Sequence, residues 1–171
     1  MSDDNRMAPV AAHTRWWQIG EVVFGLPLLA AIVLQLLLPL SLPRSVPTLA
    51  TLPGGVALMI VGVVLIILAR REFARHSQPT DPGRATSSIV ASGVFSISRN
   101  PIYLGAACVL LGIALAAQLA WLFVLLIPAI VACHYVLIAP EERYLAAKFG
   151  EHYHSYAASV HRWVGRVRRP S

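Results

Sequence analysis

Residues 100–140, NPIYLGAACVLLGIALAAQLAWLFVLLIPAIVACHYVLIAP, run for 41 positions without a single Asp, Glu, Lys or Arg. As one helix this stretch would be about 60 Å long at 1.5 Å per residue, twice the roughly 30 Å hydrocarbon thickness of a bilayer. It must therefore fold back on itself. Gln118 is the one strongly polar side chain near its middle, which places a tight turn at 118–120. Working outward, residues 22–40 form a second apolar run with only Gln35 polar, and residues 54–69 form a third, extended slightly by Leu52 and Pro53. The expectation is an all-α polytopic membrane protein with four spans, at about 20–40, 53–69, 101–118 and 120–139, in a single domain covering 1–171.

Composition agrees. Of the 171 residues 57% are hydrophobic and 13% charged, and the mean hydropathy is +0.65. Soluble domains carry nearer a quarter charged residues. A soluble enzyme, a disordered chain and a secreted disulfide scaffold are all excluded. The two cysteines, Cys108 and Cys133, lie in apolar runs and read as free thiols filling space, without a catalytic role.

The charges mark orientation. Arg6 and Arg15 precede the first run and Arg44 follows it; Arg70, Arg71, Arg75, Arg84 and Arg99 follow the second span. The turn near Gln118 has none, and Arg143, Lys148, Arg162, Arg166, Arg168 and Arg169 fill the C-terminal part. With an even number of spans, thirteen of the fourteen cations fall on one side, which makes both termini and the 70–100 connection cytoplasmic. The net charge of +6 then faces anionic headgroups, and no nucleic acid is needed to explain it. Asp3 and Asp4 before the first run argue against a secretory signal. Pro39, Pro43, Pro47 and Pro53 suit an extended outer loop.

Among the cytoplasmic segments, 76–84 is rich in turn residues, and 87–98 is neither charged nor strongly helical. Such irregular backbone at the membrane survives only when protein or a watered cavity supplies its partners. Glu141 and Glu142 follow Pro140, which suits the first turn of a new helix and would let both acids complement its dipole. Leu145, Phe149, Tyr153, Tyr156, Val160 and Trp163 recur at spacings of three and four and predict one amphipathic helix. His134 is an ionisable group inside a span and Glu21 stands at the mouth of another. Zinc-ligand spacing, a P-loop and Gly-X-Gly are absent, so no metal site or Rossmann domain is expected.

Two stretches carry a resemblance: Ser92-Gly93-Val94-Phe95-Ser96-Ile97-Ser98-Arg99-Asn100-Pro101-Ile102-Tyr103-Leu104-Gly105, and Pro140-Glu141-Glu142-Arg143-Tyr144-Leu145 followed by Phe149-Gly150-Glu151-His152-Tyr153, Tyr156 and Val160-His161-Arg162-Trp163. Together they resemble the isoprenylcysteine carboxyl methyltransferase and phospholipid methyltransferase superfamily, in its small bacterial members. The resemblance covers about 85–165 and implies an integral membrane enzyme using S-adenosylmethionine, with the cofactor-binding part in 76–165. It implies cofactor contacts from Ser87, Ser88, Ile89, Val90, Phe95, Asn100, Pro101, Ile102, Tyr103 and Glu141. Glu141 suits the cofactor's ammonium, and Phe95 or Tyr103 an aromatic face beside its sulfonium. Arg99 suits a carboxylate, with Glu142 or Glu141 as equally good partners for it. Asn100 stands where the eukaryotic carboxyl methyltransferases carry His. Leu137 stands where they place an Arg for the substrate carboxylate. The implied acceptor is a lipophilic or lipid-linked molecule bearing a carboxylate, thiol or amine, with a prenylcysteine carboxylate disfavoured by Leu137. No general base is assigned. A membrane reductase of sterol-reductase type using NADPH, and a non-catalytic relative keeping the fold, are the alternatives.

Overall fold

A computed structural model describes residues 20–42, 48–77 and 87–167. Arg6, Arg15, Arg44, Arg84, Arg168 and Arg169, the acids Asp3 and Asp4, the prolines Pro43 and Pro47, and the turn residues 78–84 lie outside these. The chain is all-α: α1 Gly20–Leu37, α2 Thr48–Arg75, a 3-10 turn Gly93–Ser96, α3 Pro101–Ala116, α4 Ala120–Ala132, a π turn Cys133–Ile138, α5 Ala139–Phe149 and α6 Glu151–Ser159. One isolated antiparallel bridge, Val160 to Arg166, is the extended pairing among the described residues.

Three helical stretches are long and apolar enough to cross a membrane: Gly20–Leu37, Leu49–Arg75 and Ala120–Phe149. The fourth, α3, has 16 residues, about 24 Å, and falls short of a full span. Their outer faces are apolar, with Leu36 78% and Ile127 69% exposed, as lipid contact requires.

The uncharged stretch folds back where expected. Gln118 has φ +53. Leu119 N–H donates to the Ala114 carbonyl and Gln118 N–H to that of Leu115, the Schellman pattern that closes a helix end. Glycine is usual at that left-handed position; here the Gln118 amide reaches the Thr51 hydroxyl on α2, 3.4 Å away.

α2 is longer than the expected 53–69 at both ends. Pro53 lies inside it, because its ring meets only the Leu49 carbonyl, close to the helix start. At the other end the helix continues through Glu72 and Phe73, whose side chains pack inward on the segment before α3. Two heptad-spaced glycine pairs zip α2 antiparallel to α3. A Cβ on Gly55 would stand 2.5 Å from the Gly112 carbonyl oxygen, and one on Gly62 2.5 Å from that of Gly105. Within lipid, where apolar burial does not drive helices together, such backbone proximity is what association uses. α1 packs against α4 and the π turn, and Phe24, Leu110, Leu126, Cys133, Leu137 and Ile138 form the central cluster. Both cysteines are free thiols.

Two expectations about the C-terminal third need correction. No new helix starts at Pro140. Ala132, Cys133, Ile138 and Ala139 all have right-handed helical dihedrals, so the helix runs on through a π turn in which Ala139 N–H donates to the His134 carbonyl. Pro140 lacks the N–H that a regular turn would use, and widening the turn accommodates it. Glu141 and Glu142 are thus not caps on a free helix terminus. The amphipathic stripe is also not one helix: Gly150, at φ +51, breaks it. Val160 and Trp163 lie beyond α6 in the bridged turn, where Trp163 still packs on the central cluster.

The glycine zipper is testable at adjacent positions. A Cβ at Gly54 meets nothing within 4 Å, whereas one at Gly55 collides with backbone. Gly55→Ala should lower the thermal midpoint in detergent, by the equivalent of about 1–3 kcal/mol. Gly54→Ala should leave it level or raise it slightly.

Candidate active site

The C-terminal end of α2, the start of α3, the π turn with α5, and the turn after α6 meet at one end of the bundle. The segment 92–100 is the hub. Phe95 and Val90 are buried with Ala69 of α2, and Phe73, Val94 and Ile102 pack around them. The Phe95 ring stacks on Phe73 with centroids 4.7 Å apart. Ser92 donates a hydrogen bond to the Glu72 carboxylate, whose other oxygen pairs with Arg75 at 3.3 Å. Gly93 has φ +56 and lies directly under that carboxylate; a Cβ there would stand 2.9 Å from Glu72 Oε2. Glu72 and Ser92 were not among the expected site residues. The signal for Glu72 was a lone acid among Arg70, Arg71 and Arg75 at a span's end.

The backbone of 95–100 finds its partners in the C-terminal segment. Tyr156 donates its hydroxyl hydrogen to the Phe95 carbonyl at 2.8 Å. Gly165 N–H donates to the Ile97 carbonyl and Arg99 N–H to that of His161. The Asn100 amide donates to the Arg162 carbonyl at 3.1 Å. Burial pushes the Tyr156 hydroxyl's pKa above the ordinary tyrosine value. The Tyr153 hydroxyl, 3.3 Å from Arg99 Nη1, is also shifted upward, mainly by burial and then by Glu142.

The neighbouring glutamates point to different partners. Glu142 faces two cations: Arg162 holds both its oxygens, at 3.0 and 2.6 Å, and Arg99 Nη1 lies 3.1 Å away. This fork-to-carboxylate geometry is the strong form of the pair, and Glu142 holds the Arg162 pKa above its usual value. Glu141 turns inward instead. The Tyr103 hydroxyl lies 3.4 Å from its Oε2, and among the described residues no Lys or Arg pairs with it. The Arg99 Nε–H, buried, has no acceptor among the described residues.

The expected site residues thus fall into three groups. Val90, Phe95 and Ile102 share an apolar cluster; Arg99 and Asn100 are bound to Glu142 and Arg162; Tyr103 meets Glu141. Buried Pro101 opens α3 between them. Ile89 is half-buried, and Ser87 and Ser88 are exposed at the edge of the described segment. Of the two aromatic candidates, Phe95 is committed to Phe73, and Tyr103 is the one beside an acid. His134 sits in the π turn with its ring edge-on to Tyr135, and Leu137 is fully buried in the central cluster.

A family model described as phospholipid methyltransferase matches residues 50–152. The chain belongs to the phospholipid methyltransferase family. Membership joins the two motifs into one methyltransferase architecture and agrees with the resemblance read from Arg99–Tyr103 and Glu141–Glu142. No significant match is found among curated proteins or solved structures.

Tyr156→Phe tests the hub. It removes the donor to a main-chain carbonyl and should cost about 1–3 kcal/mol of stability by thermal or denaturant unfolding. A tyrosine with a raised folded-state pKa contributes stability that is complete below the unfolded value of about 10. It is lost as pH rises further, because only the unfolded chain ionises readily. The wild type should therefore weaken above about pH 10, and Tyr156→Phe should flatten that decline.

Proposed function

We propose that this protein is an S-adenosylmethionine-dependent methyltransferase acting on a lipophilic acceptor drawn from the cytoplasmic leaflet. The observation that carries the reading is Glu141, a carboxylate turned into the bundle with a tyrosine hydroxyl for company, beside a neighbour that already holds two arginines. A carboxylate withdrawn from water without a cation is costly; a cationic ligand offsets that cost. The buried Arg99 Nε–H is a donor in want of an anion. The pair suits a zwitterionic amino-acid group, the ammonium toward Glu141 and the carboxylate toward Arg99. Main-chain groups of 87–90 and 100–103 suit the adenine edges, and Tyr103 offers an aromatic face.

When bound, the cofactor supplies an electrophilic methyl on a good leaving sulfide. The chain's own task is to hold donor and acceptor in line and to exclude water. Tyr103 and Glu141 fix one end of the donor, and the Arg99–Asn100–Pro101 turn fixes the backbone around it. Leu137, buried among apolar side chains, leaves no cation four positions before Glu141 to hold an acceptor carboxylate. The family's name directs attention to a phospholipid headgroup, and Glu21, which follows Gly20 where α1 faces the Tyr103 ring, suits an amine. For orientation, the arginine asymmetry favours a site at the cytoplasmic face of a four-span chain; reporter fusions in the loop between α1 and α2 and at the C-terminus should give opposite sides, with the C-terminus cytoplasmic, and agreement between them would overturn the four-span topology.

Calorimetric titration tests the cofactor reading. Wild-type protein in detergent should bind S-adenosylmethionine and S-adenosylhomocysteine, and NADPH weakly or not at all; the reverse order supports the reductase alternative. Glu141→Gln removes a charge-assisted contact worth about 1.5–3 kcal/mol and should weaken both adenosyl ligands by on the order of ten- to a hundredfold. Wild-type affinity in Glu141→Gln would overturn the assignment.

A further inference from the structure

We infer that Arg162, outside the residues 50–152 matched by the family model, is a positioning residue for the cofactor site. It acts through Glu142 and Asn100 without touching the ligand. The inference rests on the S-adenosylmethionine reading above.

Arg162 joins the site by both its ends. Its guanidinium grips the two oxygens of Glu142 at 3.0 and 2.6 Å. Its carbonyl accepts the Asn100 amide at 3.1 Å and the Ser98 hydroxyl at 3.5 Å. One residue thereby ties α5 to the turn that opens α3. The turn carrying it is itself fixed: Val160 and Arg166 form the antiparallel bridge, and Gly165, at φ +112, places its N–H on the Ile97 carbonyl at 2.8 Å.

The electrostatic consequence concerns Arg99. Glu142 takes its fork from Arg162 and a single Nη1 contact from Arg99. Arg99 is therefore only partly committed, and its Nε–H has no acceptor among the described residues. Without Arg162, Arg99 becomes the sole cation on Glu142 and is drawn toward it. Arg99 immediately precedes Asn100 and Pro101, so the displacement passes directly into the start of α3. Neutralisation of Glu142 also leaves Glu141 as the one of the two neighbouring carboxylates without a Lys or Arg partner among the described residues, which keeps the pair from competing for a ligand's ammonium.

The test is calorimetric titration of the full-length protein in detergent with S-adenosylhomocysteine, reading both affinity and the fraction of molecules that bind. Arg162→Gln should raise Kd by on the order of tenfold with the binding fraction unchanged. Arg162→Lys keeps the charge and loses the fork, and should fall between wild type and Arg162→Gln. Adding Arg162→Gln to Glu142→Gln should weaken binding no further than Glu142→Gln alone, since the side chain acts through that carboxylate. Arg166→Gln removes a cation from the same turn and should bind as wild type does. A wild-type Kd in Arg162→Gln overturns the inference, and a reduced binding fraction at wild-type Kd does so as well, because that is the mark of a merely structural role. Should Arg162→Gln fail to fold, Arg162→Lys decides: a several-fold higher Kd at full binding fraction upholds positioning, and a wild-type Kd overturns it. If wild type binds neither adenosyl ligand, the proposed function falls and this inference with it; if wild type binds and Arg162→Gln matches it, only this inference falls.

Discussion

Irregular backbone beside a bilayer must find its hydrogen bonds within the protein, and the segment 92–100 obeys that constraint at the expense of the chain that follows it. It is the described stretch at the candidate site that lies outside the α-helices, between α2 and α3. Water at the interface satisfies part of such a segment, but the carbonyls of Phe95 and Ile97 and the Arg99 N–H take partners from Tyr156, Gly165 and His161. The C-terminal turn is therefore no appendage. It folds back onto the segment before α3 and supplies its hydrogen-bond partners, and in doing so it brings Arg162 onto Glu142. Secondary structure at one end of the bundle thus dictates the electrostatics of the site.

The division of labour between Glu141 and Glu142 follows from helix geometry. Consecutive residues on a helix point about 100° apart, so two adjacent acids at the edge of a bundle face different surroundings. Which of them faces inward depends on the register, and the π turn Cys133–Ile138 sets it by adding one residue to the turn before Pro140. A regular α-helical turn would rotate every later side chain by about 100°, carrying Glu141 towards the face Glu142 now holds and Glu142 beyond it. A π turn near a functional position is a recurrent arrangement; here its cause is local, the missing N–H of Pro140, and its effect is to put a carboxylate beside Tyr103.

Much of this was legible in the residues. Forty-one uncharged positions forced a hairpin, and Gln118 marked its turn because no other side chain there prefers water. Arg99–Tyr103 and the glutamate pair marked segments that the fold brings together at the candidate site. The helix boundary expected at Pro140 is absent for a physical reason: proline favours the first turn of a helix, and sequence alone does not distinguish a helix that restarts from one that widens. The amphipathic stripe from Leu145 to Trp163 was real as a pattern of burial, yet Gly150 divides it and Val160 and Trp163 keep the pattern without the helix. Glu72 escaped notice because its role depends on Ser92 and Gly93, twenty and twenty-one positions away, which only the fold brings near.

The glycine zipper and the short α3 together fix where the site lies. Gly55 faces Gly112 and Gly62 faces Gly105, so one heptad further along α2, at Ala69, the partner helix has already ended. The last turns of α2 extend past the start of α3, and Glu72 and Phe73 there meet the 3-10 turn rather than another span. α4, the π turn and α5 form a continuous 30-residue stretch that likewise outruns α3. A short helix between longer neighbours leaves a step at the membrane face, and the step's floor is Pro101–Tyr103. On the proposed function, a zwitterionic ligand would reach such a step from water and a lipophilic acceptor from the bilayer. A full-length third span would remove this meeting point, so the 16 residues of α3 are as much a part of the site as the side chains that line it.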